Sequence, residues 1–147
     1  MTVCIRLRRV GNVPVETPSY QTAGSAGFDL CAAITEPMTL LPGMRCLIPS
    51  GFAMAIPPGY EGQVRPRSGL ALKYGLTIVN APGTIDSDYR GEVAIVLINH
   101  GQEPYVIKPL SRIAQLVISR VERSSLELVD ELDDTLRGQG GYGSTGE

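Results

Sequence analysis

Turn-forming residues punctuate this chain from end to end. Its 147 residues include 17 glycines and 11 prolines, well above ordinary usage but below the level of a low-complexity chain. Proline removes a ladder donor and glycine weakens any regular element it interrupts. That density dictates many turns and short strands.

The apolar residues between the turns support this reading. Val3, Ile5 and Leu7 alternate with Cys4, Arg6 and Arg8, the period-2 pattern of a half-buried strand. Further strands are expected at 28–33, with Asp29 as a polar intruder, and at 38–41, 45–48, 51–56, 62–66, 76–79, 92–99, 105–107 and 112–121. The one short helix expected is 68–75, with Ser68 as N-cap, Lys73 in the last turn and Gly75 closing the end. Short strands at regular spacing argue an all-β sandwich or barrel. Residues 1–136 read as a single domain, and 137–147 as a glycine-rich flap belonging to it. Beyond Ser125 the pattern is ambiguous: Leu126, Val129, Leu132 and Leu136 have roughly helical spacing beside the acids Asp130, Glu131, Asp133 and Asp134.

Composition narrows the function. A net charge of −2 gives no global attraction for nucleic acid. No apolar run approaches membrane-spanning length, and no secretory h-region opens the chain. Three cysteines without a C-x-x-C favour a reducing compartment, so the expected location is cytoplasmic. His100 has no neighbouring ligand set and reads as a surface histidine.

Three stretches have the composition of a site. In Arg65-Pro66-Arg67-Ser68-Gly69 two arginines precede a helix start, where free N–H groups and the dipole favour anions, although a plain cap with a solvated arginine fits equally. The loop Asn80-Ala81-Pro82-Gly83-Thr84-Ile85-Asp86-Ser87-Asp88-Tyr89-Arg90-Gly91-Glu92 carries two acids, either turn-formers, a cation site or a general base beside a phosphate. Gly138-Gln139-Gly140-Gly141-Tyr142-Gly143 matches G-x-G-x-x-G but lacks the flanking strand, helix and downstream acid of a dinucleotide fingerprint. Its closely spaced N–H groups, with Arg137, Ser144, Thr145 and one aromatic ring, suit a flap closing on phosphate.

Five separated motifs then resemble those of the trimeric deoxyuridine triphosphate nucleotidohydrolases, the dUTPases. They are Ala26-Gly27-Phe28-Asp29-Leu30, Pro66-Arg67-Ser68-Gly69-Leu70-Ala71, the loop from Asn80 to Glu92, Arg112-Ile113-Ala114-Gln115-Leu116, and the tail from Arg137 to Gly146. They occur in the family's order and span nearly the whole chain.

The resemblance implies a jelly-roll-like β subunit in a homotrimer with shared active sites. It implies Mg²⁺-assisted hydrolysis of dUTP to dUMP and pyrophosphate, supplying dUMP for thymidylate synthesis and keeping uracil out of DNA. Asp86 would deprotonate the water that attacks the α-phosphorus. Asn80, with backbone around Gly83, Thr84 and Ile85, would read uracil, and Tyr89 would pack on deoxyribose and exclude a 2′-hydroxyl. Arg67, Ser68 and Gly69 would hold phosphates, and Gln115 would support the triphosphate and its water. Arg137, Gly143, Ser144 and Thr145 would close on the γ-phosphate, while Tyr142, where the family usually has Phe, would stack on the base. The metal would be held mainly by triphosphate and water, with Asp29 in an indirect role. The rivals are a dCTP deaminase-like enzyme and a jelly-roll protein that binds nucleotide only as a regulator.

Overall fold

The computed structural model describes residues 2–141. Among them are β1 (Arg6–Arg9), β2 (Gly27–Cys31), β3 (Met38–Leu40), β4 (Arg45–Ala55), β5 (Tyr60–Arg65), α1 (Ser68–Tyr74), β6 (Leu76–Ile78), β7 (Gly83–Ile85), β8 (Glu92–Asn99), β9 (Tyr105–Ile107) and β10 (Arg112–Arg120). The strands form a four-stranded sheet in the order β1-β4-β8-β6, a second in the order β2-β10-β5-β7, and the pair β3-β9. The described pairings are antiparallel. This is the jelly-roll-like all-β architecture with one short helix.

Period-2 patterning builds the core. Along β8, Val93, Ile95, Leu97 and Asn99 are buried, while Ala94, Val96 and Ile98 are half-buried on the opposite face. Phe28, Leu30, Val64 and Leu116 of the β2-β10-β5-β7 sheet join Ile48, Phe52, Met54, Ile95 and Leu97 of the other sheet in one cluster. Each such side chain contributes about 1.5–3 kcal/mol by leaving water. Asn99 is the polar exception on this face of β8, and its amide is fully used. Nδ2 donates to the carbonyls of Leu40 at 3.0 Å and Glu103 at 2.8 Å, and Oδ1 accepts the Gly101 N–H at 2.8 Å. One side chain thereby ties β8, β3 and the following turn together.

Two local expectations change. The strands expected at 45–48 and 51–56 are one strand, β4, whose register against β8 shifts between Pro49 and Ala53. Gly51 sits at φ +79°, and a Cβ there would meet Val15 at 3.1 Å and Ala33 at 3.3 Å, so the bulge requires glycine. In α1 the cap is Arg67, in extended conformation and without a side-chain hydrogen bond; Ser68 is the first helical residue. The helix ends as expected, with Lys73 in its last turn and left-handed Gly75 after it.

The C-terminal segment, ambiguous in sequence, takes neither regular form. Residues 121–139 are all exposed and form no strand or helix. Leu126 and Leu128 stand 97% and 100% exposed. A helical stripe of this length is marginal in water unless a packing face receives it, and the exposure of this segment shows that no such face of its own chain does so.

Candidate active site

Arg65, Arg67 and Gln115 meet Asp29 and Arg112 at one end of the second sheet. Asp29 on β2 is paired with Gln115 on β10, and Gln115 with Arg65 on β5. Directly paired residues share a face. Because Phe28 and Leu30 are buried, Asp29 and its row face outward. Two residues beyond β5, Arg67 turns back onto this row: its Nε lies 3.0 Å from Asp29 Oδ1. Arg112 Nη1 approaches Asp29 Oδ2 at 3.2 Å, and Arg67 Nη1 donates to the Arg112 carbonyl at 3.1 Å. Gln115 Nε2 donates to the Pro66 carbonyl at 2.9 Å, fixing the turn that carries Arg67. Ser68 and Gly69 follow immediately and are exposed.

One carboxylate between two guanidinium groups leaves the cluster net positive, the charge a polyphosphate requires. Arg112 is absent from the candidate residues read from the sequence. The signal for it was its place in the same motif as Gln115, three positions upstream. Beside the cluster, burial pushes the Cys31 thiol above its ordinary pKa; the Asp29 carboxylate adds to the rise, while Arg112 and Arg67 oppose it.

The acidic loop forms a separate group. Its first part is not all loop, because Gly83, Thr84 and Ile85 make a short strand against Val64, Gln63 and Gly62. The β-branched pair Thr84-Ile85 was the signal for β7. A recess of about 40 Å³ lies among Asn80, Gly83, Thr84, Ile85, Val64 and Ile95. Asn80 Nδ2 reaches 3.2 Å from where a Cβ on Gly83 would stand, so glycine lets the amide approach the strand.

Asp86 follows β7 and is exposed; its carbonyl accepts the Tyr89 N–H at 3.2 Å. Asp88 lies at the tip of the same turn. Tyr89 is 43% exposed, with its hydroxyl donating to the Glu92 carbonyl at 3.0 Å. Asp86 opens onto a hollow of about 520 Å³ shared with Glu61, Thr84, Asp88 and Arg123.

These two groups do not converge within one chain. Ile85 pairs with Gly62, which places Asp86 at the Glu61 end of β5, whereas Gln115 pairs with Arg65 at the opposite end. Four residues of strand separate those ends, about 13 Å. The chain thus carries an acidic-loop surface with Asn80 and Asp86 and a separate basic surface with Arg67, Arg112 and Gln115.

Of the tail, residues 137–141 are described, and their recorded hydrogen bonds are local. Arg137 Nε donates to the Gly140 carbonyl at 2.9 Å, and the Gly140 N–H returns to the Arg137 carbonyl at 3.0 Å. Tyr142, Gly143, Ser144 and Thr145 lie outside the described residues. No cluster of three or more His, Cys, Asp or Glu side chains suited to a metal occurs among the described residues. No helix among them is long and apolar enough to cross a membrane.

Comparison with known proteins adds a family to this geometry. The dUTPase family model matches residues 14–146. The deoxyuridine 5′-triphosphate nucleotidohydrolase of Anaeromyxobacter sp. (strain Fw109-5) is 60% identical over 148 residues, covering 99% of each chain. That of Syntrophotalea carbinolica is 53% identical, covering 99% of this chain and 98% of the relative. Among solved structures, the Staphylococcus bacteriophage 80alpha dUTPase with dUpNHpp superposes with a TM-score of 0.85 at 27% identity, covering 99% of this chain and all of that one. A mutant dUTPase from phage phi11 of S. aureus, whose structure reveals the coordination of a structural Mg(II) ion, gives 0.78 at 25% identity over 87% of this chain and 97% of its own.

Proposed function

The chain belongs to the dUTPase family and is a dUTP diphosphatase, and from that premise we propose how its residues divide the reaction. Asp86 is the general base that takes a proton from the water attacking the α-phosphorus. Its exposure on a hydrogen-bonded turn leaves both carboxylate oxygens accessible. Asn80 and the backbone of Gly83, Thr84 and Ile85 read the uracil edge. A recess that narrow rejects a base enlarged at C5, since an added methyl is otherwise weakly discriminated. Tyr89 packs on deoxyribose where a 2′-hydroxyl would stand.

Arg67, Ser68 and Gly69 hold phosphate oxygens, and Gln115 supports the triphosphate and its water while fixing the Pro66 carbonyl. Residues 1–136 act as one domain and 137–147 as its flap, in which Arg137, Tyr142, Gly143, Ser144 and Thr145 close over substrate and exclude water. Positioning and electrostatics dominate phosphoryl transfer, and none of these groups forms a covalent intermediate.

The residues present fit a metal that arrives on the substrate. Asp29 is held between two arginines and acts on such a metal only indirectly. Mg²⁺ bound to the triphosphate would neutralise charge on its oxygens and favour departure of pyrophosphate.

The working unit is a homotrimer whose sites are shared between subunits. The observation that supports this is the separation of Asp86 from Arg67 and Gln115 along β5. The exposed leucines of 121–139 and the absence of buried residues in α1 supply apolar surface for neighbouring copies. Three free cysteines and a net charge of −2 accord with a cytoplasmic enzyme that binds neither nucleic acid nor membrane.

A nucleotide panel read for pyrophosphate and ammonia tests the reading. Pyrophosphate from dUTP, with little from dTTP or UTP, is expected. Ammonia from dCTP would favour a deaminase, and no product from any nucleotide would favour a binding protein.

A further inference from the structure

The hydrogen bonds of the loop after β7 are local. Asp86 accepts the Tyr89 N–H, the Arg90 guanidinium donates to the carbonyls of Ser87 at 2.7 Å and Tyr89 at 2.8 Å, and the Tyr89 hydroxyl donates to the Glu92 carbonyl at 3.0 Å. A loop closed on itself can still pivot as a unit about its base. Glu92 is that base. Its carboxylate Oε1 accepts the N–H of Gly51 at 2.8 Å, from the bulge of the neighbouring strand 41 residues away.

That bulge is an inflexible anchor. Gly51 is buried, held at φ +79° and pressed between Val15 and Ala33. The β4–β8 register resumes with Ala53 opposite Glu92. The backbone of Glu92 is thus set by its pairing and its side chain by the bulge. Next to this base, the Tyr89 ring lies against Gly91, where a Cβ would stand 2.6 Å from Cζ and 3.0 Å from Cε2. Glycine leaves the space that seats the hydroxyl end of the ring, and the Glu92 carbonyl holds that end through the hydroxyl.

We propose that Glu92 is a positioning residue that sets sugar selectivity: by holding the loop base on the β4 bulge it fixes the Tyr89 ring at the distance that admits deoxyribose and excludes ribose. This rests on the reading of Tyr89 as the wall beside the sugar C2′. Glu92 touches neither substrate nor attacking water. Its effect is read in the ratio of kcat/KM for dUTP to that for UTP, which a purely stabilising residue would leave unchanged.

The test measures that ratio in Glu92→Ala, Glu92→Gln, Tyr89→Phe and Tyr89→Ala. The glutamine amide oxygen still accepts the Gly51 N–H, so Glu92→Gln is expected to keep the ratio. Glu92→Ala is expected to lower it by about tenfold or more, chiefly through faster turnover of UTP. Tyr89→Phe keeps the ring but loses its tie to the Glu92 carbonyl, and is expected to lower the ratio by a smaller factor. If Glu92→Ala does not fold, an unchanged ratio in Tyr89→Phe overturns the inference. A ratio that collapses in Tyr89→Ala but stays whole in folded Glu92→Ala overturns the inference alone. A ratio unmoved in Tyr89→Ala overturns the sugar-wall reading, and the role of Glu92 with it.

Discussion

Arg67 Nε stands 3.0 Å from Asp29 Oδ1, and the second oxygen of that carboxylate takes Arg112 at 3.2 Å. The Asp29 side chain is only 16% exposed, whereas those of Arg67 and Arg112 are 28% and 51% exposed. The acid is therefore the enclosed member, and the arginines present free N–H groups to solvent. A carboxylate so placed aligns donors for an anion without competing for it.

Replacement of Asp29 by Asn keeps the size and removes the charge that holds both guanidinium groups. The expected result is a fall in kcat/KM for dUTP of roughly 10- to 100-fold, because a displaced phosphate ligand misaligns the reacting atoms. Thermal stability should also fall, by about 1–3 kcal/mol, because a largely enclosed carboxylate loses two charge-assisted contacts. Steady-state kinetics and a melting curve on the same sample separate the two effects.

Asp86→Asn tests the base directly. Turnover should fall by about 10²- to 10⁴-fold, the range for a positioned general base, while dUTP binding measured by calorimetry is retained. Wild-type turnover in this variant would remove Asp86 from the mechanism.

Deletion of 137–147 should leave folding and assembly intact and cripple catalysis. Deletion from 122 onward should also disperse the oligomer, because it removes Leu126, Leu128, Leu132 and Leu136. Size-exclusion chromatography with light scattering distinguishes the two truncations, and full activity in the shorter deletion would refute the flap.

Gly51→Ala should destabilise the subunit by roughly 1–3 kcal/mol, the cost of a left-handed non-glycine residue forced against a packed core. Urea unfolding reads this as a lower midpoint at unchanged slope.

Legibility of the fold followed the strength of local pattern. The bounds of β8 and β9 are readable because each is a clean apolar run between turn residues. The join within β4 is not, because Pro49 and Gly51 mark a break in sequence while the bulge carries the ladder through it. For the same reason β7 hides inside a polar loop: three residues are too few for a period. The acids and arginines of the site are legible by type and motif, but their distribution over two walls is not. Only strand register shows that Asp86 and Arg67 lie at opposite ends of β5.

That register has a consequence in mixtures of chains. Where the two walls of a site come from different subunits, a chain lacking Asp86 and a chain lacking Arg67 are defective in different halves. Co-refolded, an Asp86→Asn chain and an Arg67→Ala chain should regain activity that neither shows alone. Two null alleles would then complement one another at the level of protein.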